Sequence, residues 1–202
     1  MSNAGVLNAK MEKRAVIAAG ANGVGKTTFA LQFMAEHDFE FLNADEIAKE
    51  LSAENPSEKK ISAGKIFFKK LNETVTQGKS LLLESTLSGR YLQQHFGIWR
   101  ANGYQIQIVF IFVESPEVSI ARIKERVKKG GHFVPDEDVR RRFDRGKKNF
   151  WQIYKNLADN WALVYNSEES FQHVAFGEQN DFLITDEHLF ELFIGELDEK
   201  RI

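Results

Sequence analysis

The sequence predicts an α/β protein in which helices flank a doubly wound, mostly parallel sheet of five or six strands. Two observations support this fold class. Short apolar runs alternate with segments of helical periodicity, and a glycine-rich octapeptide directly follows the first apolar run. Apolar runs of this length are typical of strands that are buried on both faces of a parallel sheet. The alternation then implies right-handed crossovers, with the helices packed on the sheet.

The predicted strands follow the apolar runs, at residues 15–19, 39–43, 80–84, 105–113 and 161–165. Between them, segments such as 57–77 and 90–101 have helical patterns. Near the C-terminus, 171–175 and 181–185 are expected to form a small hairpin or a sixth strand, and 186–194 a closing helix. Ligands of such sheets bind at the carboxyl ends of the strands, so the site is expected there.

The octapeptide at 20–27 reads Gly-Ala-Asn-Gly-Val-Gly-Lys-Thr, a complete G-x-x-x-x-G-K-[ST] phosphate loop between a strand and a helix. Glycines let the backbone curl until its N–H groups point at phosphate oxygens, and the helix adds its positive dipole end. Lys26 is expected to reach the β- and γ-phosphates, and the Thr27 hydroxyl to bind Mg²⁺. The motif therefore predicts a P-loop NTPase fold. The predicted nucleotide-binding residues are Gly20, Ala21, Asn22, Gly23, Val24, Gly25, Lys26, Thr27 and Thr28.

Composition limits the partners of this 202-residue chain. Its net charge of −2 gives no global basic field, so nucleic acid is not an expected partner. The absence of cysteine excludes disulfides and thiolate zinc sites. No apolar run approaches the roughly 20 residues of a membrane span, and the start does not read as a signal peptide, so a cytoplasmic protein is expected. Residues 1–12 are expected to be disordered or tag-derived, and 13–202 to form one domain.

Polar residues follow the second and third predicted strands. Asp45 is interpreted either as a base that takes the proton of an acceptor hydroxyl or as the N-cap of a helix at 46–51. Glu84 could position substrate or hold Mg²⁺ through water, and Thr86 could hydrogen-bond an acceptor. The alternatives for this segment are a strand cap and turn, or a Leu-Ser-Gly fragment of a transporter-type ATPase signature. That signature needs a strand ending in Asp-Glu soon afterwards, whereas the next strand here ends at Glu114.

The arginine-rich segment at 122–146 is predicted to be a lid that folds over a triphosphate. Two helical patterns are separated by Lys-Gly-Gly-His-Phe-Val-Pro at 129–135. Arg126 and Arg142 are the predicted phosphate ligands, because a planar guanidinium stabilises charge that is spread over phosphate oxygens. His132 is expected to hydrogen-bond in the lid or to substrate.

A solvated basic face is the alternative for this charge run. It is the favoured interpretation for the three arginines that lie further round the helix: Arg140, Arg141 and Arg145.

Together these segments resemble the zeta-toxin family of P-loop kinases, in the chromosomal branch whose lid carries Gly-Gly-His-x-Val-Pro. The resemblance covers 14–166 and rests on the phosphate loop, on Phe-Leu-Asn-Ala-Asp-Glu-Ile-Ala at 41–48, on Leu-Glu-Ser-Thr at 83–86 and on the lid segment 126–135. It implies ATP or GTP with Mg²⁺ as the phosphoryl donor. The acceptor in characterised members is a hydroxyl of a UDP-N-acetylamino sugar.

The resemblance also implies roles for single residues. It places the catalytic base at Asp45, acceptor-binding groups at Glu84 and Thr86, and lid arginines at Arg126 and Arg142. An antitoxin-like protein is a further partner that the family suggests.

The predicted function is therefore an ATP-dependent kinase of a small molecule. Two alternatives stay open: a nucleotide-regulated binding protein or switch ATPase, and a nucleoside or nucleoside-monophosphate kinase. The guanine-specifying Asn-Lys-x-Asp is absent from the sequence, which weighs against a GTPase switch.

Overall fold

The computed structural model describes residues 12–44, 47, 56–167 and 170–198. These residues form a seven-stranded sheet. The strands are β1 (Lys13–Ala19), β2 (Glu40–Leu42), β3 (Leu81–Ser85), β4 (Tyr104–Phe112), β5 (Asn160–Asn166), β6 (Phe171–Glu178) and β7 (Asp181–Ile184). Their order is β2-β3-β1-β4-β5-β6-β7. The first five strands pair in parallel, which confirms the predicted α/β fold with its mostly parallel sheet.

The central strand β1 explains why apolar runs identified the sheet. β1 lies between β3 and β4, and its residues 15–19 have no exposed surface. Helices cover both faces of a parallel sheet, so its inner strands need apolar side chains at consecutive positions rather than at alternate ones. The registers pair Ala19 with Ser85 on one side and with Phe110 on the other. The carboxyl ends of these strands therefore form one edge.

Both arms of the expected hairpin join the sheet, so it has seven strands where five or six were predicted. β6 pairs with β5 and β7 pairs with β6, both antiparallel. Their turn is held from the core side. Lys155 Nζ donates to the carbonyl of Gln179 over 3.1 Å and to Asn180 Oδ1 over 2.7 Å, and Trp161 Nε1 donates to Gln179 over 3.1 Å. These contacts come from residues about 20 positions earlier, which a local pattern does not reveal.

The helices in the described part of the chain are α1 (Lys26–Glu36), α2 (Pro56–Thr76), α3 (Gln93–Ala101), α4 (Pro116–Lys128), α5 (Asp136–Asn149) and α6 (Glu187–Asp198). None of them is both long enough and apolar enough to cross a membrane. The helix predicted at 46–51 lies, except for Ile47, outside the described residues, as does the predicted tail 1–12 except for Glu12.

The helical pattern that follows residue 135 does not form one uniform helix. After α5 it continues through a π-helical turn at Phe150–Tyr154 and ends with Lys155–Leu157. Phe150 and Tyr154 are fully buried, and Phe150 stacks on Phe110 with ring centroids 4.5 Å apart. A π turn inserts one extra residue per turn, so it changes which side chains of the following turn face the core.

Candidate active site

The phosphate loop connects β1 to α1, and its geometry requires glycine, as Gly20 and Gly25 illustrate. Gly20 and Gly25 have φ angles of 134° and 96°, in the left-handed region that favours glycine. A Cβ atom on Gly20 would collide with the carbonyl oxygen of Ile111, and one on Gly25 with Nδ2 of Asn166. At these two positions the loop thus approaches the ends of the neighbouring strands more closely than a Cβ atom would allow.

Two hydrogen bonds fix the loop to those strand ends. The Gly20 N–H donates to the carbonyl of Ser85 over 3.1 Å, at the end of β3. Asn166 Nδ2, at the end of β5, donates to the carbonyl of Val24 over 2.8 Å. This is the strand–loop–helix context that a phosphate-binding loop needs, with its curvature supported by contacts within the protein.

Lys26 and Thr27 begin α1 directly below the loop. The Lys26 side chain is 9% exposed, and its Nζ donates to the carbonyl of Ala21 over 2.7 Å. The Thr27 hydroxyl donates to Glu84 Oε2 over 3.2 Å. A hydroxyl and a carboxylate oxygen side by side are hard oxygen donors of the kind that Mg²⁺ prefers, so Thr27 and Glu84 fit a magnesium ion bound with substrate phosphates.

The loop borders a cavity of about 940 Å³. Its lining includes nine of the residues predicted for the site. They are Asn22, Gly23, Gly25, Lys26, Thr27, Thr28, Glu84, Arg126 and His132. Gly20, Ala21 and Val24 form the remaining turns of the loop. One cavity therefore collects the loop, the end of β3 and the lid turn between α4 and α5.

The predicted lid residues contribute in two different ways. Arg126 lines the cavity, and its Nη2 donates to the carbonyl of His132 over 2.7 Å. Arg142 lies outside the cavity lining. Its Nη1 donates to Asn22 Oδ1 over 3.0 Å, and its Nη2 lies 3.7 Å from Asp138 Oδ2. In this structure Arg142 therefore contacts the phosphate loop rather than the open cavity.

The neighbouring arginines have the solvent-exposed positions expected of a solvated basic face. Arg140 is exposed and pairs with Glu117, and Arg141 is exposed and pairs with Asp138 over 2.5 Å.

The structure brings only some of the predicted acceptor-binding residues to the cavity. Glu84 lies at the cavity, whereas the Thr86 hydroxyl pairs with Ser88 Oγ over 2.8 Å and Thr86 is not part of the cavity lining. Asp45, the predicted base, lies outside the described residues. Asn43, which directly follows β2, is buried and lines the cavity.

Among the polar cavity residues that sequence reasoning missed, Asn166 and Arg122 contact each other, and Asn166 also contacts the loop. Asn166 holds Val24 through its side chain, and Arg122 Nη2 donates to the Asn166 carbonyl over 3.2 Å. The signal that could have identified Asn166 is its position directly after the predicted strand 161–165, the criterion that singled out Asp45 and Glu84. The neighbouring Tyr165 donates to Glu114 Oε2 over 2.8 Å, and burial together with this bond raises the pKa of Tyr165.

Sequence comparison places this chain among known proteins. Residues 16–151 match the model of a family described as an AAA domain. An uncharacterized protein of Haemophilus influenzae is 32% identical over 133 residues, which are 66% of this chain and 94% of that protein.

The fold is also similar to solved structures at low sequence identity. A chain from the PezAT chromosomal toxin–antitoxin system of Streptococcus pneumoniae has a TM-score of 0.65 and 18% identity, over 92% of this chain and 80% of that chain. A chain from the AvrRxo1-ORF1:-ORF2 structure with ATP has a TM-score of 0.71 and 16% identity, over 89% of this chain and 63% of that chain. At these identities the similarity establishes a shared fold.

Proposed function

This chain belongs to the AAA domain family, and from that premise we propose that it is a kinase that transfers the γ-phosphoryl group of ATP or GTP to a hydroxyl of a small molecule. The observation that supports this proposal most is the composition of one cavity. A phosphate loop with Lys26, the Thr27–Glu84 pair and Arg126 of the lid all border it. These are the parts that phosphoryl transfer needs, because its catalysis is mostly positioning and charge stabilisation.

The donor triphosphate would bind along the loop and the first turn of α1. Lys26 Nζ would exchange the Ala21 carbonyl for oxygens of the β- and γ-phosphates. The loop amides and the positive end of α1 add favourable partial charges. Thr27 and Glu84 would hold Mg²⁺, which supplies charge neutralisation on the phosphates when bound.

The lid would supply further positive charge at the same cavity. Arg126, which lines the cavity, would approach the γ-phosphate. Arg142 is hydrogen-bonded to the loop residue Asn22 and would approach the same phosphate when the lid closes. Closure of such a lid excludes water that would otherwise compete with the acceptor.

For the acceptor side, we propose Asp45 as the base, with Glu84, Thr86 and His132 as acceptor contacts. A UDP-N-acetylamino sugar is the acceptor class suggested by the resemblance to zeta toxins. Similarity to the PezAT system supports the proposal of an antitoxin-like protein partner. A cytoplasmic location is part of the same proposal.

The proposal is tested by following γ-labelled ATP with Mg²⁺ and a metabolite panel that contains UDP-N-acetylglucosamine, nucleosides and nucleoside monophosphates. We expect the label on one small molecule, and we expect Asp45→Asn to reduce turnover much more than ATP affinity. Label that appears only as inorganic phosphate, at a rate raised by a protein, would favour the switch ATPase instead. Label on a nucleoside or a monophosphate would identify the nucleoside-kinase alternative.

A further inference from the structure

The Gly-Gly-His turn of the lid makes hydrogen bonds with both the backbone and the side chain of Arg126. At the backbone, the Arg126 carbonyl accepts hydrogen bonds from the N–H groups of Lys129 over 3.1 Å and of Gly131 over 2.9 Å. At the side chain, Arg126 Nη2 donates to the carbonyl of His132 over 2.7 Å. The turn that follows α4 therefore holds the main chain and the guanidinium of the same arginine.

The two glycines of this turn are required for different reasons. Gly130 has a φ of +82°, and a Cβ atom on it would meet no atom within 4 Å, so its need for glycine is conformational. Gly131 does not have a positive φ. A Cβ atom there would lie 2.5 Å from Cγ, 2.8 Å from the carbonyl oxygen and 3.1 Å from Cδ of Arg126. Gly131 is therefore required by its close approach to Arg126.

We propose that Gly131 is a positioning residue for the triphosphate site. Its missing side chain lets the turn close on the stem of Arg126, so that the guanidinium is held at the cavity by the His132 carbonyl. Arg126 is exposed, and an unrestrained exposed arginine samples many rotamers. Restricting those rotamers before the ligand binds lowers the cost of ordering the guanidinium against a phosphate.

This inference rests on the proposed function, in which Arg126 contacts the γ-phosphate. It leads to a specific consequence for nucleotide binding. ADP lacks the γ-phosphate, so a correctly held Arg126 favours a triphosphate over ADP. The loop amides bind phosphates common to both nucleotides, and the γ-phosphate contact of Lys26 is the same in every variant compared. The ratio of the two dissociation constants therefore reports on Arg126 separately from the integrity of the loop.

The test measures the Kd of a non-hydrolysable ATP analogue and of ADP by calorimetry, with Mg²⁺, for the full chain and its variants. We expect Gly131→Ala and Arg126→Ala each to reduce the ADP-to-analogue Kd ratio by about tenfold or more, the range for a lost hydrogen bond to a charged group. The double variant should have the same ratio as Arg126→Ala. Gly97→Ala on α3, where a Cβ meets no atom within 4 Å, should leave the ratio unchanged.

Each other outcome is decisive. If the ADP-to-analogue Kd ratio is unchanged in Gly131→Ala but reduced in Arg126→Ala, the positioning role of Gly131 is wrong and the proposed function stands. The same conclusion follows if Gly131→Ala weakens the binding of both nucleotides equally, since that is a general structural effect. It also follows if the double variant has a lower Kd ratio than Arg126→Ala. If Arg126→Ala does not change the ratio, Arg126 does not read the γ-phosphate. If the unaltered protein binds neither nucleotide, the proposed function fails.

Discussion

Arg142 of α5 donates a hydrogen bond of 3.0 Å to the side chain of Asn22, which lies 120 residues earlier in the phosphate loop. The Arg142 side chain is 29% exposed, and Asp138 lies 3.7 Å from its other terminal nitrogen. This contact joins the lid helix to the loop. Arg142 either acts on phosphate directly or acts by shaping the loop through Asn22, and the two roles have different consequences.

We expect Arg142→Ala to lower single-turnover phosphoryl transfer by about tenfold or more, because a cation that stabilises transferring charge is lost. Asn22→Ala should change the rate by less than about threefold, because it releases Arg142 but leaves its charge available. The rate is measured with γ-labelled ATP. Arg141 is next to Arg142 and pairs with the same Asp138, so Arg141→Ala is the control and should leave the rate of phosphoryl transfer unchanged. Equal losses in Asn22→Ala and Arg142→Ala would show that Arg142 acts through the loop.

The Thr27–Glu84 pair predicts a change in magnesium dependence. Glu84→Gln removes a negative charge from the proposed metal site, so the Mg²⁺ concentration for half-maximal activity should rise by about tenfold. Activity is measured across a Mg²⁺ titration at saturating ATP. Glu73→Gln, at an exposed ion pair with Lys69 on α2, is the charge-matched control. An unchanged Mg²⁺ midpoint in Glu84→Gln would exclude Glu84 from the metal site.

Asn166 is predicted to support the loop rather than to read the γ-phosphate. Asn166→Ala leaves the Val24 carbonyl without its side-chain donor, so ATP and ADP should both bind about tenfold more weakly, with their ratio preserved. Calorimetry with both nucleotides measures this. Asn102→Ala removes a comparable side-chain-to-carbonyl bond at the end of α3 and should not affect either Kd. A selective loss of ATP affinity would instead assign Asn166 to the γ-phosphate.

His95 predicts a pH dependence of stability that is separate from the active site. It is 7% exposed, stacks on Phe68 with ring centroids 5.2 Å apart, and burial lowers its pKa below 6.5. Because the pKa is lower in the folded state, the stability that neutral His95 contributes is fully present above pH 6.5. It is lost as the pH falls from there through the folded pKa.

His95→Phe keeps a flat ring beside Phe68 but cannot take up a proton. The free energy of unfolding of this variant, from urea titrations, should therefore fall less between about pH 7.5 and pH 5 than that of the unaltered protein. His188→Gln, at an exposed position of α6, is the control. An identical fall in His95→Phe and in the unaltered protein would contradict the assignment.

The sequence was sufficient to predict those parts of the fold and site that depend on neighbouring residues. The loop at 20–27 and the strands before and after it follow from local pattern, and strand order then brings Glu84 beside Thr27. Arg126 reaches the cavity because the turn that holds it comes within six residues of it in the chain. In each case the contact either joins residues that are close in the sequence or follows from the common edge at which parallel strands end.

The parts that sequence could not predict depend on packing between distant residues. Arg142 contacts Asn22 rather than the cavity, since the orientation of α5 is set by its core face, where Val139 and Phe143 are buried. The Thr86 hydroxyl is the exception, because it pairs with Ser88 only two positions away, a side-chain choice that spacing does not encode. The seventh strand depends on contacts from Lys155 and Trp161 to the β6–β7 turn.

The most direct test of the kinase proposal is to incubate the protein with γ-labelled ATP, Mg²⁺ and candidate acceptors, in parallel with Lys26→Ala, and to identify the labelled product. We predict a phosphorylated small molecule with the unaltered protein and at least about a hundredfold less of it with Lys26→Ala, because the ammonium that grips the β- and γ-phosphates is gone. Equal label transfer by both proteins, or binding of ATP to neither, would contradict the account.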